Sequence, residues 1–211
     1  MVDLAYKGIR ELILEEQIVQ GALLSENQLA EYLNMSRTPV REALRRLEAE
    51  GILESIPGLG TFLRPMTEND IRHIYEVRKA LELIACETAV YRITDEEIAE
   101  ERAILLSLLK RHENGESIDR MEFSRIDGNL HDMLINKSDN HYIKILMDQI
   151  YFHVDRYRIT SFKVSLDLVE STRQHLDLLD AFAQRNPERI KERVLSHLEW
   201  SLELLLNKLQ Y

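Results

Sequence analysis

The chain has 211 residues, 45% of them apolar and 30% charged, with a formal net charge of −10, which is the composition of a globular protein of one or two domains. No apolar run approaches the ~20 residues needed to cross a bilayer, and Met1-Val2-Asp3-Leu4 lacks the basic-then-apolar pattern of a secretory leader, so a cytoplasmic protein without an anchor is expected. The acidic surplus excludes a protein coated with nucleic acid, because Lys and Arg supply sequence-independent affinity for phosphates, and any DNA contact must therefore be local.

Residues 4–16 carry Ile9, Leu12 and Ile13 on one face and predict a helix. Ser25-Glu26-Asn27-Gln28 reads as a capping box that opens a second helix, with Leu29, Ala30 and Leu33 turned inward. After a short turn at Asn34-Met35, a third helix over 37–50 follows Ser36, with Val40, Ala43, Leu44 and Leu47 on one stripe. At ~100° per residue, Arg37, Arg41 and Arg45 fall together about a quarter-turn away. Residues 1–65 hold seven basic and ten acidic residues, yet positions 36–46 hold four arginines and one glutamate. Ile52–Ile56 and Thr61–Arg64 flank Pro57-Gly58-Leu59-Gly60, which predicts a two-stranded hairpin with a glycine-rich tip.

That order is a winged helix-turn-helix over residues 1–65. Its recognition helix would lay its first turns in the major groove, making Ser36, Arg37, Thr38, Arg41 and Arg45 the candidate DNA-binding residues. Gly58 and Gly60 would let the wing backbone come close to the DNA. The plain alternative is that the arginines form an ordinary solvated face. Against it stands the wording of the segment. Leu24-Ser25-Glu26-Asn27-Gln28-Leu29-Ala30, then Met35-Ser36-Arg37-Thr38-Pro39-Val40-Arg41-Glu42-Ala43-Leu44-Arg45-Arg46-Leu47, then Glu50-Gly51-Ile52 and Gly58-Leu59-Gly60-Thr61 closely resemble the DNA-binding domain of the GntR family. The resemblance implies a dimeric repressor or activator that reads a short palindrome in double-stranded DNA. Glu16, Val19 and Gln20 depart from it, standing where the family usually has Gly and two Pro.

Residues 66–211 read as a mainly α domain, an antiparallel bundle of about six helices at 67–91, 94–114, 117–137, 139–160, 165–185 and 187–208. Thr67 with Asp70, Thr94 with Glu97, and Asn186 before Pro187 supply helix-start signals. The single cysteine, Cys86, reads as a small core residue.

Three of the seven histidines fall on or beside apolar stripes. Asp127 and His131, four apart, edge the stripe of Phe123, Ile126, Leu130 and Leu134; His175 lies with Leu178, Leu179 and Phe182; His197 lies with Ile190, Val194 and Leu204. Each alone reads best as a hydrogen-bonded core imidazole. Together, one carboxylate and three imidazoles aimed at one interior would be costly to bury unpartnered, and one divalent ion would satisfy all of them. Asp-x-x-x-His followed by single histidines on later helices resembles the metal-binding FCD domain of FadR-type GntR regulators. That resemblance implies a divalent metal, Zn, Ni or Mn, on Asp127, His131, His175 and His197, with open positions for an organic-acid effector.

Val77-Arg78-Lys79-Ala80-Leu81-Glu82 resembles the first FCD helix, and Arg78 either holds the effector carboxylate or pairs internally with Glu82. His73, His112, His141 and His153 fit no such quartet and read as surface or packing residues. The expected function is a ligand-responsive regulator. A regulator whose metal is purely structural and a metalloenzyme are the alternatives, and the second leaves the winged helix unexplained.

Overall fold

The computed structural model describes residues 1–161 and 166–209. The chain divides into two compact units, Met1–Thr67 and Glu68–Tyr211.

The first unit runs α1 (Val2–Leu14), β1 (Leu23–Leu24), α2 (Glu26–Tyr32), α3 (Arg37–Ala49), β2 (Leu53–Ile56) and β3 (Gly60–Leu63). Ile9, Leu12 and Ile13 of α1 are buried, as are Val40, Ala43, Leu44 and Leu47 of α3, and the two helices pack directly on one another. The seam is closed at its edge by Tyr6, whose hydroxyl donates to Glu50 Oε2 at 2.7 Å while the Arg46 guanidinium lies 3.8 Å over its ring.

The sheet has three strands in the order β1-β3-β2, one more than the hairpin expected from the sequence. Leu23 stands opposite Phe62, Leu24 opposite Thr61, and Leu53 opposite Leu63, all antiparallel. β1 is two residues long, too short to show alternation in a sequence, and backbone bonds from Gly21 N–H to Leu63 O and from Leu63 N–H to Ala22 O extend the pairing. Ser25 caps α2 by accepting from the Gln28 N–H at 3.4 Å.

Among the described residues the second unit has six helices: α4 (Glu68–Ala89), α5 (Asp95–Glu113), α6 (Arg120–Lys137), α7 (His141–Ser161), α8 (Leu166–Ala183) and α9 (Pro187–Leu209). α4 packs against α6, α7 and α9, and α8 against α5 and α9, so their inward faces share one interior. Thr94 and Glu97 form a full capping box on α5, and Asn186 Oδ1 accepts from the Arg189 N–H at 3.0 Å to start α9. α6 begins at Arg120 rather than near 117, because the Asp119 carboxylate accepts from the Met121 and Glu122 N–H groups and fixes the start there. Cys86 is buried, and burial pushes its thiol up to about 12, so it stays a neutral core group.

Candidate DNA-reading surface and metal centre

Ser36 is the N-cap of α3 in an extended conformation, and its hydroxyl makes no capping bond to the helix. From that start Pro39 and Val40 turn inward while Arg37, Thr38, Arg41 and Arg45 stay exposed, which puts the arginines on one outward face. The sequence reading missed what meets them. Arg41 gives Nε to Glu26 Oε1 at 3.0 Å and Nη2 to Glu26 Oε2 at 2.9 Å, Arg37 gives Nη2 to Glu26 Oε2 at 3.2 Å, and Arg45 pairs with Glu42 at 2.9 Å. The hydrogen bond from Arg41 is the main cause holding the Glu26 carboxyl below its ordinary value.

At the wing, Gly58 (φ 78°) and Gly60 (φ 123°) both adopt left-handed backbone. Open space surrounds Gly58, whereas a Cβ on Gly60 would come within 2.5 Å of Leu23 Cδ1, so the exposed Leu23 side chain would have to turn aside.

In the second unit α6 brings Asp127 and His131, α8 brings His175 and α9 brings His197, all four buried. One ring nitrogen from each histidine lies within 4.8 Å of the others, and His175 Nε2 stands 3.1 Å from His197 Nε2. Asp127 Oδ1 is 3.8 Å from His175 Nε2.

The second ring nitrogens settle the tautomers of His131 and His197, whereas His175 Nδ1 is buried without a partner among the described residues. His131 Nδ1 is 2.7 Å from Glu82 Oε2 and His197 Nδ1 is 3.0 Å from Gln174 Oε1. Both oxygens accept, so each Nδ1 carries the proton and each Nε2 presents a bare lone pair. His131 Nε2 is fully buried without a hydrogen-bond partner among the described residues. Burial lowers the pKa of all three imidazoles and so keeps them neutral, the form that ligates a metal. Burial works against the Asp127 charge, but the Arg158 guanidinium, with Nε 2.9 Å from Oδ2, outweighs it and holds this carboxyl ionised, well below the usual carboxylate range. Neutral imidazoles oriented by Glu82 and Gln174, with an ionised carboxylate beside them, form a donor set that fits a divalent ion.

Arg78 is buried and gives Nε to Glu82 Oε1 at 2.6 Å, so the internal pair left open by the sequence forms, while its Nη2 is buried without a partner among the described residues. Glu82 thus bridges Arg78 to His131. Three further groups went unread. Arg158 Nε lies 2.9 Å from Asp127 Oδ2, the Ser171 hydroxyl donates to Asp127 Oδ1, and Gln174 orients His197. Two sequence signals could have found Arg158. It shares a stripe with Met147, Tyr151 and Val154, and α6 carries Gly128, where a Cβ would come 2.8 Å from Arg158 Nη1.

Residues 2–63 match the family of bacterial regulatory proteins named gntR, and residues 73–199 match the FCD domain. The chain belongs to the GntR family. Its FCD domain places it in the FadR-type branch, whose members are DNA-binding transcription regulators rather than enzymes. It is 33% identical to the Nta operon transcriptional regulator of Aminobacter aminovorans over 88% of this chain and 85% of that one. It is 26% identical to the transcriptional repressor RspR of Escherichia coli over 92% of this chain and 84% of that one. Among solved structures, E. coli McbR/YncC superposes with a TM-score of 0.82 at 22% identity, covering 98% of this chain and 97% of that one, which shows the shared fold. The metal-free FCD domain of TM0439 matches with a TM-score of 0.59 at 26% identity over 70% of this chain and 99% of that one. No described helix of this GntR protein is long and apolar enough to cross a membrane.

Proposed function

We propose that this GntR regulator acts in the cytoplasm as a homodimeric repressor of a palindromic operator, released by a small organic acid that binds beside a divalent metal in the FCD domain. The observation that carries the sensor half is the buried, unpartnered His131 Nε2 among three neutral imidazoles and the Asp127 carboxylate. Asp127, His131, His175 and His197 would hold the ion, with Zn, Ni and Mn all compatible with three nitrogens and one oxygen. A divalent ion there supplies positive charge and open coordination positions for a carboxylate.

The partnerless Nη2 of Arg78 supports a role in receiving that carboxylate, with Glu82 holding the guanidinium in place. Release requires that the acid bind the DNA-free arrangement better than the DNA-bound one. The repressor direction is supported by relatives that carry that name, RspR among them. On the DNA side, Ser36, Arg37, Thr38, Arg41, Arg45, Gly58 and Gly60 form the proposed contact surface, with Arg41 the base reader.

Elemental analysis of the purified protein, with melting curves against a panel of small carboxylic acids before and after chelation, tests the sensor half. About one metal per chain and a metal-dependent stabilisation by one acid is the expected result. Metal without any acid response would make the ion purely structural, and no metal after reconstitution would leave only the DNA-binding half standing.

A further inference from the structure

Glu26, the first residue of α2, is the acid on which the leading arginines of α3 converge. Arg41 meets it side-on through Nε and Nη2, and Arg37 Nη2 shares Glu26 Oε2. A guanidinium carries five N–H bonds in a rigid plane. Side-on pairing consumes the Nε–H and one N–H of Nη2. The end of the fork, one N–H from each Nη, stays free, and that end matches O6 and N7 of a guanine. A carboxylate and a guanine edge therefore occupy different edges of one Arg41 plane. The pair also borders a groove of about 350 Å³ between α3 and the sheet, lined by Arg45, Glu48, Ser55 and Thr61 as well.

The same carboxylate is half-exposed beside the arginines, where phosphates would lie. Its charge repels any DNA regardless of sequence, while its grip on Arg41 favours only DNA with the matching base. The two effects have opposite signs on specific and non-specific binding, which makes them separable.

We propose that Glu26 is a specificity-determining positioning residue: its carboxylate fixes the plane of Arg41 for end-on recognition of a guanine in the operator and holds down affinity for other DNA. This rests on Arg41 being a base reader, as proposed above. Glu26 touches no base itself.

The test uses the full-length protein and a pool of random 30-base-pair duplexes, selected and sequenced in parallel for wild type, Glu26→Gln, Glu26→Asp and Arg41→Ala. The selected duplex and a scrambled one of equal composition are then titrated by fluorescence anisotropy at one salt concentration. Wild type is expected to select a guanine in each half-site that Arg41→Ala no longer selects. Glu26→Gln should lose the preference at that same position, with about tenfold weaker binding to the selected duplex and equal or tighter binding to the scrambled one. Glu26→Asp keeps the charge on a shorter arm, so it should lose the guanine preference without the gain on scrambled DNA. If Glu26→Gln keeps the guanine preference and tightens on both duplexes by one factor, Glu26 is a brake only and the proposal is wrong. If Arg41→Ala keeps every base preference, the base-reading assignment fails first and takes the proposal with it. Unchanged melting temperatures of the variants separate both outcomes from misfolding.

Discussion

Asp127 shows how one side chain can serve the bundle as well as the ion its site fits. Its carboxylate takes Arg158 Nε at 2.9 Å and a hydrogen bond from Ser171 while standing 3.8 Å from His175. Arg158 is itself buried, so removing the carboxylate strands a charge in low dielectric. Asp127→Asn should cost about 3 kcal/mol in chelator-treated protein, the low end of the range for a broken buried pair, because Asp155 also accepts from Arg158 at 3.0 Å. Urea denaturation measures it, and a loss below about 1 kcal/mol would mean the pair is not a structural one.

Glu101 offers a separate test. It is buried on α5, and burial, only partly offset by a hydrogen bond from Asn129, pushes its carboxyl up to about 7. A folded pKa above the unfolded value means that the folded state holds a proton the unfolded state has already released. That contribution is complete below about pH 4.5 and is lost as pH rises through about 7. Glu101→Gln, which is neutral throughout, should therefore melt like wild type at pH 4.5 and higher at pH 8, by on the order of 1 kcal/mol. Equal melting curves at pH 8 would show that the carboxylate is hydrated there.

At the scale of elements, helix ends explain much of the local path. Among the described residues, α1, α2, α3, α5 and α8 close with the same pair of backbone bonds, as in Gln17 N–H to Leu12 O with Glu16 N–H to Ile13 O. Each closure puts one residue in the left-handed region: Glu16, Asn34, Gly51, Gly115 and Arg185. Asn34 makes the turn between α2 and α3, and Arg185 offsets its strained backbone by donating to the Val90 and Ile93 carbonyls. Glu16 occupies the position where the family usually has glycine, and the left-handed conformation is kept without it. Gly51 (φ 72°) carries the same closure on α3, and Gly51→Ala should lower stability by about 1 kcal/mol, read from thermal melts. An unchanged melting temperature would mean that the turn after α3 relaxes out of the left-handed region at no cost.

These start and stop signals are local, which is why all six helices of the second unit were legible from periodicity and caps, and why the two-residue β1 was not. The same distinction divides the metal centre. Asp127 and His131 are four apart on one helix, and His175 and His197 lie on apolar stripes, so their inward direction was readable. Their supporting partners were not: Ser171 reaches Asp127 across 44 positions and Glu82 reaches His131 across 49, a relation that only tertiary packing creates. Glu26 was hidden for the opposite reason. It read as part of a helix-start signal, and its pairing with Arg41, 15 positions on, depends on the angle at which α2 and α3 meet.

At the scale of the whole molecule, a palindrome reader needs two copies, and the proposed homodimer needs a face. Val77 and Ile84 of α4 and Tyr91 just past its end are exposed at seven-residue intervals, by 45%, 50% and 72%, and neighbouring α7 leaves Tyr142, Ile145 and Leu146 exposed. The end of α4 and the start of α7 are tied together by the Asp139 N–H to Thr88 Oγ1 bond at 2.9 Å and by the pair of Arg92 with Asp139. A second copy of this chain would cover both stripes through one self-complementary contact. Ile84→Glu combined with Tyr142→Glu places a charge in each stripe without touching a buried residue, so the fold should survive while sedimentation velocity shows monomers. Joining two half-sites makes the second binding event intramolecular, and the monomeric variant should therefore lose at least a hundredfold in affinity for the full palindrome while binding a half-site as wild type does. A variant that sediments as a dimer would move the interface elsewhere on the bundle. A monomeric variant with undiminished affinity for the palindrome would instead show that operator reading does not depend on pairing in solution.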